Sequence, residues 1–386
     1  MKLNDIAEFV TDKISSSSIS LENYVTTDSL LQNKRGRETA QNLPPMLCAL
    51  THYKRGDVLV ANIRPYLKKV WFADSEGGCS SDVLVFRAKN GHYPSFLYTV
   101  LIQDAFFDYA MSGAKGSKMP RGDKDQIMRY ELPTFTSLEE ENIGNIMVDI
   151  MSKINVNRLI NDNLEAMAKQ LYDYWFVQFD FPNEEGKPYK SSGGAMVWNE
   201  KLKREIPQYW STLPISAILD KYPTTKRYET KEYLSQGKYP IIDQGDTYIV
   251  GYTNEDDNLL TRHPAVLFGD HSTKVKFLDF DFARGADGTQ ILYSSNDAVS
   301  QYYLYLAVST LQIPNPGYSR HFKYLKELPI VIPSLSIAIK FANIVKPLFK
   351  KWTNNIFNNI ALTKQRNELL PLLMNGKASV NYHLSV

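Results

Sequence analysis

Cysteine is almost absent from this sequence of 386 residues, which contains only Cys48 and Cys79. The two cysteines lie in unlike contexts without a CxxC motif or a nearby histidine, so we predict neither a disulfide framework nor a zinc site. A run of about 18 apolar residues is also lacking, and residues 1–10 mix charged with apolar side chains. We therefore expect a cytoplasmic protein that is neither secreted nor membrane-spanning.

Motifs of a molecular motor or a methyltransferase are lacking as well. There is no GxxxxGK[ST] phosphate-binding loop, and residues 113–118 are rich in glycine and lysine but have the wrong spacing for one. Residues 315–318 lack the second proline of an Asn/Asp-Pro-Pro-aromatic methyltransferase site, and we interpret them as a loop. We accordingly predict that the chain binds no cofactor.

Side chains suited to nucleophilic or metal catalysis are few and scattered. The six histidines show no metal-ligand spacing and no arrangement with a Ser or Cys nucleophile. Two acidic clusters, at residues 256–257 and 279–281, lack a lysine at nuclease spacing, so we interpret them as solvated loops. The sequence thus predicts no catalytic residue, no bound metal and no enzymatic activity of its own.

Charge is unevenly distributed along the chain. The net charge of +2 is too small to indicate nucleic-acid binding by itself. Residues 136–178, however, contain 3 basic and 7 acidic side chains, whereas residues 334–386 contain 7 basic and 1 acidic. These two regions therefore carry opposite charges of −4 and +6.

The two halves of the chain share an internal repeat. Glu131-Leu132-Pro133 recurs as Glu327-Leu328-Pro329, and each copy precedes a long pattern of alternating four- and three-residue steps, which is typical of a coiled-coil seam. The first seam contains Ile143, Met147, Ile150, Ile154, Asn157, Asn161, Leu164, Ala168, Leu171 and Trp175. The positions 198 residues later form the second seam, with Phe341, Val345, Leu348, Trp352, Asn355, Asn359, Leu362, Arg366, Leu369 and Leu373.

Both seams carry two asparagines at matching positions. A buried Asn in such a seam typically fixes the register, and the opposite charges favour pairing of the two helices with each other. We therefore predict an antiparallel, intramolecular coiled coil. The alternative is two unrelated amphipathic helices whose apolar faces lie in separate cores. Pro347 predicts a kink or a delayed start of the second helix.

The remaining sequence predicts two domains of the α+β class. Short β-branched and aromatic runs, bounded by Gly, Pro and Asp, occur before each helix. The expected fold is two mixed α/β domains separated by two long antiparallel helices, with a pseudo-twofold internal repeat. The expected regions are a first domain at 1–135, a first helix at 136–178, an extended connector at 179–206, a second domain at 207–333, a second helix at 334–375 and a tail at 376–386.

Three segments resemble a known family. Residues 171–182, which read LYDYWFVQFDFP, resemble the signature that follows the central helix of type I restriction-modification specificity subunits. Residues 365–376, which read QRNELLPLLMNG, resemble the end of their second helix. Residues 56–65, together with Ser80-Ser81-Asp82, are similar to their target recognition domains. Residues 263–270 depart from this pattern, because a strand led by Gly-Asp is expected there.

The resemblance covers nearly the whole chain and implies a non-catalytic subunit of a type I restriction endonuclease and adenine methyltransferase complex. It implies double-stranded DNA, two methyltransferase subunits and, in the full complex, motor-nuclease subunits as partners in a bacterial or archaeal cytoplasm. Each recognition domain would read one half of a bipartite, asymmetric site. A stand-alone two-headed DNA-binding or scaffold protein, and a reader fused to its own nuclease or methyltransferase, are the alternatives.

Candidate DNA contacts combine basic side chains for phosphates with polar side chains for base edges. The first domain offers Arg64, Tyr66, Lys68, Lys69, Lys115, Ser117, Lys118 and Arg121. The second domain offers Lys226, Arg227, Tyr228, Gln244, His271, Lys274, Tyr318, Ser319, Arg320 and His321. For each residue alone, a solvated surface position is the alternative interpretation. Gln244 is a candidate reader of adenine.

Helix length predicts the form of the DNA site. At 1.5 Å per residue, each seam of 33 residues spans roughly 50 Å. Two readers on one face of B-DNA are naturally spaced by about 10 base pairs. If each reads about four base pairs, about six lie unread between them, and antiparallel helices predict a split, non-palindromic site.

Overall fold

The computed structural model describes residues 1–222, 225–286, 288–314 and 320–378. The chain forms two compact units. Unit 1 comprises Met1–Arg158 and Phe357–Val386, and unit 2 comprises Leu159–Ile356. Each unit combines β-sheets and short helices with part of both long helices, so the expected α+β class with two long antiparallel helices is confirmed. None of the helices in the described ranges is long and apolar enough to cross a membrane.

Unit 1 contains eight strands and four short helices among its described residues, followed by a long helix that continues into unit 2. The strands are β1 (Ala7–Phe9), β2 (Lys13–Ser15), β3 (Tyr24–Val25), β4 (Ala49–Tyr53), β5 (Val58–Ala61), β6 (Val70–Phe72), β7 (Gly77–Cys79) and β8 (Val83–Ala88). The helices are α1 (Leu3–Ile6), α2 (Pro94–Leu101), α3 (Asp104–Ser112), α4 (Lys124–Ile127) and the long α5 (Ser137–Tyr172).

A central strand organises the core of unit 1. One sheet has the order β1-β8-β5-β6, and the other has the order β2-β4-β7-β3. All four residues of β5 are buried, and the alternation of side chains across a strand divides them between two cores. Val58 and Val60 pack with Phe96 and with the long helices, whereas Leu59 and Ala61 pack on the opposite face of the sheet.

Unit 2 contains eleven strands among its described residues. They are β9 (Met196–Asn199), β10 (Arg204–Pro207), β11 (Ser211–Pro214), β12 (Tyr239–Ile242), β13 (Gly251–Thr253), β14 (Leu259–Leu260), β15 (Ala265–Gly269), β16 (Val275–Leu278), β17 (Phe282–Arg284), β18 (Thr289–Leu292) and β19 (Pro329–Ile332). The helices that begin here are α6 (Ile215–Ile218), α7 (Gln301–Thr310), α8 (Phe322–Glu327) and the long α9 (Leu335–Met374).

The central strand of unit 2 repeats the arrangement of unit 1. Strand β15 lies between its hairpin partner β16 and the later strand β18, as β5 lies between β6 and β8. Its residues also alternate between two cores, with Val266 and Phe268 in one and Ala265 and Leu267 in the other. A further sheet has the order β13-β12-β17-β14. The internal repeat of the sequence is therefore also a repeat of strand topology.

The Glu-Leu-Pro repeat marks equivalent positions in the two units. In unit 1, the N-terminal amine of Met1 donates to the Leu132 carbonyl at 2.9 Å, and Lys2 forms a β-bridge with Glu131. In unit 2, β11 pairs with β19, and Ile215 N donates to the Leu328 carbonyl at 3.0 Å. Each copy thus closes its domain against the first residues of that domain.

The two long helices pair in antiparallel fashion through their asparagines. In unit 1, Asn157 Nδ2 donates to Asn359 Oδ1 at 2.8 Å, and Asn359 Nδ2 donates to the Ile154 carbonyl at 3.1 Å. In unit 2, the equivalent bonds run from Asn355 Nδ2 to Asn161 Oδ1 at 2.9 Å and from Asn161 Nδ2 to the Trp352 carbonyl at 3.0 Å. The predicted pairing of the helices within one chain is confirmed. Both amide pairs make the same bonds because the seams repeat after 198 residues.

One position of the second seam is exposed near its end, although the last seam residue, Leu373, is buried. Leu369 is a predicted seam residue, yet its side chain is exposed, and Leu370 is buried instead. An α-helix drifts by about 20° per heptad from a strict seven-residue repeat, so four heptads after Phe341 the buried face falls on the next residue. Pro347 does not delay the helix, which begins at Leu335 and continues through the proline.

The family-like segment after α5 is a structural element of unit 2. Residues Asp173–Val177 form a π-helical turn, and Phe176 and Trp175 are buried there. The ring centroid of Phe176 lies 4.8 Å from that of Tyr303 and 4.8 Å from that of Phe341. Aromatic rings therefore attach the end of α5 to the start of α9 and to the core of the second domain.

Residues 179–206 differ from the extended connector that the sequence predicts. Strands β9 and β10 form an antiparallel hairpin within this segment. Phe181 stacks on Trp210 with centroids 4.6 Å apart, and the Arg204 guanidinium lies 4.8 Å from the centre of the Phe179 ring. The segment folds because its aromatic side chains are buried against unit 2, which its Pro- and Gly-rich composition conceals.

Candidate nucleic-acid interface

In unit 1, the structure brings together two basic segments that are distant in sequence. Arg64, which follows the central strand β5, donates its backbone N–H to the Pro120 carbonyl at 2.8 Å. Gly122 N donates to the Asn62 carbonyl at 3.2 Å. The loop at 113–122 is therefore bonded to the end of β5, and we call residues 62–69 and 113–122 the first loop pair.

The 113–122 loop closes on itself and presents cationic side chains. Lys115 and Arg121 exchange backbone hydrogen bonds of 2.9 and 3.0 Å. The side chains of Lys115, Ser117 and Lys118 are exposed. Lys115 Nζ lies 3.2 Å from Asp123 Oδ2. Exposed ion pairs of this kind contribute little to stability, so the lysine is available to a phosphate.

Arg64, Tyr66 and Lys68 are the candidate contact residues in the 62–69 segment of the first loop pair. Arg64 and Tyr66 are exposed, and the left-handed backbone of Arg64 (φ 52°) turns the chain directly after the strand. Lys68 Nζ binds Asp104 Oδ1 at 2.5 Å. Arg121 Nη2 lies 3.3 Å from Asp82 Oδ1.

Lys69 differs from these residues. Its ammonium group donates to the Thr27 carbonyl, and burial lowers its pKa. Lys69 therefore has a structural role, because its contact with Thr27 fixes the base of the first loop pair.

The Gly-Asp step before β5 is structural. Asp57 is buried, and its two carboxylate oxygens accept from Arg87 Nε at 2.8 Å and Arg87 Nη2 at 2.7 Å. This charge-assisted pair raises the pKa of Arg87 and joins the start of β5 to β8. The motif therefore positions the strand that Asn62 directly follows.

Unit 2 builds an equivalent loop pair around Asp270. His321 N donates to the Asp270 carbonyl at 2.8 Å, and Phe322 N donates to Asp270 Oδ1 at 2.8 Å. The residue after the central strand thus accepts from the segment before α8, as Asn62 accepts from the segment before α4. We call residues 269–274 and 320–322 the second loop pair. It places exposed His271, Lys274 and Arg320 on one loop cluster.

Gln244 positions the 271–274 turn through its amide oxygen. Its Oε1 accepts from His271 N at 2.9 Å and from Ser272 N at 3.3 Å, while its carbonyl accepts from Ser272 Oγ at 2.6 Å. The candidate reader of adenine is therefore occupied, at this oxygen, in shaping the turn. Lys274 Nζ forms an exposed ion pair with Asp246 at 2.9 Å.

Lys276 supports the same turn from the interior. Its buried ammonium group donates to the carbonyls of Asp243 at 2.8 Å and Thr247 at 2.7 Å. Burial lowers the pKa of Lys276 to about 8. The sequence places Lys276 at the end of a candidate DNA-contact turn, but it does not predict the supporting roles of Lys276, Asp270 and Asn62. Asn62 and Asp270 directly follow buried apolar runs, which is a signal for their role.

Two residues that the sequence predicts as DNA contacts, and hence as surface residues, are buried. Tyr228 is 1% exposed and donates from its hydroxyl to Glu255 Oε2 at 2.7 Å. His321 is 4% exposed, since its backbone is drawn against Asp270. Tyr228 packs in an apolar cluster with Ile241 and Ala283, whereas His321 is buried beside the residue that its backbone contacts.

The remaining candidates of the second domain are held by local contacts or lie outside the described ranges. Lys226 Nζ contacts Glu232 at 3.0 Å and Glu255 at 3.3 Å. Arg227 is exposed and forms a backbone bridge with Arg284. Tyr318 and Ser319 lie outside the described residues.

The acidic clusters make local contacts. Asp256 Oδ1 binds Lys238 and accepts from the Tyr239 hydroxyl, and His263 lies 3.3 Å from Asp279 and 3.6 Å from Asp281. Within the described ranges, no group of three or more His, Cys, Asp or Glu side chains is arranged to hold a metal ion.

Comparisons with known proteins give consistent relatives. The chain is 23% identical over 357 residues to the type I restriction enzyme MjaIX specificity subunit of Methanocaldococcus jannaschii, covering 86% of this chain and 80% of the relative. It is 31% identical over 121 residues to the EcoR124I/EcoR124II specificity subunit of Escherichia coli, covering 30% of this chain and 29% of that protein. No family model matches the sequence.

A solved structure shares the fold. The crystal structure of a type I restriction-modification S subunit from M. genitalium aligns over 97% of this chain and 95% of its own, with a TM-score of 0.62 and 16% identity. At this identity the similarity shows a common fold, which includes both domains and both long helices.

Proposed function

Because the chain belongs to the specificity subunits of type I restriction-modification systems, the non-catalytic subunits that recognise DNA, we propose that its two units read the two halves of one bipartite, asymmetric DNA site. The observation that carries the proposal is the repeated loop pair. In each unit, the residue after a central buried strand accepts a backbone hydrogen bond from the segment before a short helix. The same scaffold thus presents different side chains, which suits two readers of unlike sequences.

The exposed residues of the two loop pairs would have different roles in DNA recognition. Lys115, Lys118 and Arg121 in unit 1 offer flexible cations for phosphates, and Arg64 offers a guanidinium that suits guanine O6 and N7. In unit 2, Arg320 and His271 occupy the corresponding loop cluster. Lys69, Tyr228 and Gln244 would act by holding their loops in place.

Replacing Lys118 and Arg121 with Gln is the direct test of reading by unit 1. We expect weaker binding of the assembled methyltransferase complex to its target duplex, and a fall of about 1 in the slope of log affinity against log salt for each lost phosphate contact. Fluorescence anisotropy over a salt series measures this slope. Lys13→Gln, which removes an exposed charge on β2, is the matched control. An unchanged affinity and slope would reject the role of this loop pair.

We further propose that the long helices bind two methyltransferase subunits at two equivalent surfaces. Unit 2 exposes Leu159 and Tyr174 on α5 and the turn that follows it, and unit 1 exposes Phe357 and Leu372 on α9 at positions 198 residues later. Exposed apolar side chains repeated at equivalent positions are typical of protein-binding surfaces. Motor-nuclease subunits would join this assembly in the full complex.

Charge placed on these surfaces tests the docking proposal. We expect Leu159→Glu with Phe357→Glu to weaken methyltransferase binding at least tenfold, because a carboxylate replaces apolar contact at both surfaces. Analytical gel filtration and calorimetric titration measure the stoichiometry and affinity. The full chain is the appropriate material, since Ile143 and Phe341 pack into domain cores and an isolated helix pair would expose them. Val197→Glu, at an exposed apolar residue of β9, is the control, and equal binding by both variants would refute the proposed surfaces.

A further inference from the structure

Unit 1 contains a basic cleft between a loop and the long helices. The cleft has a volume of about 490 Å³ and lies between the Asn33–Gly36 turn and the walls formed by α5 and α9. Its lining includes four basic residues, Lys34, Arg35, Arg158 and Arg366, and one acidic residue, Asp74. This excess of positive charge on a concave surface favours an anionic ligand.

Arg366 is a partly buried arginine of the cleft, and its hydrogen-bond acceptors are neutral. Its guanidinium donates to Asn367 Oδ1 at 2.8 and 3.1 Å, and its Nη1 lies 3.5 Å from the sulfur of Met151. Within the described residues no carboxylate forms an ion pair with it. Burial lowers the pKa of Arg366. A partly buried guanidinium whose acceptors are neutral binds an anion favourably, because folding has already removed part of its water.

Arg158 is held at the opposite wall of the cleft. One of its terminal nitrogens donates to the Arg35 carbonyl, and the other donates to Asn155 Oδ1 at 2.8 Å. These bonds fix the guanidinium beside the Gly36 turn, whose left-handed backbone (φ 78°) brings the chain close to Asn155. Two guanidinium groups on different helices therefore border one concave surface.

The cleft is joined to the first loop pair through the backbone. Asn33 N donates to the Leu67 carbonyl at 2.9 Å, and Lys34 N donates to the Lys68 carbonyl at 2.8 Å. Lys34 and Lys68 also share Asp104, at 2.9 and 2.5 Å. The proposed reading loops and the cleft thus meet at a cluster of two lysines and one carboxylate, whose net charge is positive.

We propose that this cleft binds phosphate groups of the DNA strand as the strand leaves the half-site read by unit 1. The inference rests on the proposed function, because the loop pair must first place DNA beside the cleft. Arg158 and Arg366 would donate to phosphate oxygens. Such contacts position the DNA and carry no base information, so the cleft would add affinity to every sequence equally.

The test uses the full chain assembled with its methyltransferase subunits. The Arg158→Gln, Arg366→Gln double variant is titrated over a salt series with target and non-target duplexes. We expect the salt slope to fall by about 2, at roughly 0.9 for each phosphate, with the same loss on both duplexes and an unchanged preference for the target. Lys13→Gln is again the control. Ser152→Glu, which introduces a negative charge at an exposed position of the cleft wall, should also weaken binding of both duplexes and keeps the test informative if the double variant fails to fold.

Neutral phosphates locate the contact on the DNA. Methylphosphonates beside the half-site read by unit 1 should weaken the wild-type complex and leave the double variant unaffected, because both changes remove the same interaction. If Lys118→Gln and Arg121→Gln lower the slope but the cleft variants do not, the cleft proposal is overturned and the proposed function stands. If loop and cleft variants alike leave DNA binding unchanged, the proposed function fails as well. Loss of methyltransferase binding with unchanged DNA binding would instead assign the cleft to an acidic segment of the partner and overturn the proposal.

Discussion

Exchange of residues 1–135 for the equivalent domain of a relative is expected to change one half of the recognised sequence completely and to leave the other half unchanged. Unit 1 has its own hydrophobic clusters and its own loop pair, so the reading residues move with the exchanged domain. Methylation mapping of genomic DNA in cells that express the chimera measures both halves at once.

The structure indicates where the junction of this chimera belongs. The Met1 amine is bonded to Leu132, and Leu3 N donates to the Tyr130 carbonyl at 2.8 Å, so the first residues and the Glu-Leu-Pro segment must be exchanged together. Ile143 and Leu373 contribute to the same core from the helices and should match the incoming domain. The reciprocal exchange of residues 207–333 is the control, and it should change only the other half. A change of both halves by either exchange would contradict independent reading.

Replacement of Phe176 with Ala is expected to destabilise unit 2 by about 3–5 kcal/mol, the typical cost of deleting a large aromatic side chain from a core. Phe176 is 1% exposed, and its ring contacts those of Tyr303, Phe341 and Trp210. The cavity would weaken the packing of α5 and α9 against each other and against the core of the second domain. A smaller loss is expected for Phe176→Leu, because the leucine side chain leaves a smaller cavity than alanine does.

Tryptophan fluorescence during denaturant unfolding measures this effect selectively. Four of the five tryptophans, at positions 175, 198, 210 and 352, lie in unit 2, and Trp71 lies in unit 1. Val177→Ala is a close control, because the neighbouring side chain is 41% exposed. If Phe176→Ala shifts the unfolding transition of unit 2 no more than this control does, the aromatic cluster does not stabilise the packing of α5 and α9 against the second domain.

The seams illustrate how far a periodic pattern can predict structure. The four- and three-residue steps predicted both helices, and their opposite charges together with the matched asparagines predicted their pairing. In the structure the asparagines form hydrogen bonds between the two helices. The same pattern misplaced Leu369, because a heptad count ignores the drift of a helix with 3.6 residues per turn. It also concealed that each domain core is completed by helix residues such as Met147 and Val345.

The side chains predicted to contact DNA differ in where the structure places them. Lys118 and Arg320 are exposed as expected, but Tyr228 and His321 are buried, and Lys69 and Gln244 hold their loops in place. Composition identifies which side chains could bind DNA. It does not identify which of them the fold uses internally, because a hydrogen bond to a distant backbone group leaves no local pattern.

The sequence by itself determined the repeat, the two long helices, their mutual pairing and the family resemblance, because each of these depends on periodicity, on the distribution of charge or on contiguous motifs. Only the tertiary structure decided that the 62–69 segment meets the 113–122 loop, that Asp270 meets His321, and that Arg158 and Arg366 border one basic cleft. These arrangements join residues separated by about 50 to 200 positions. Such contacts are set by the packing of whole sheets against helices, which no local spacing encodes.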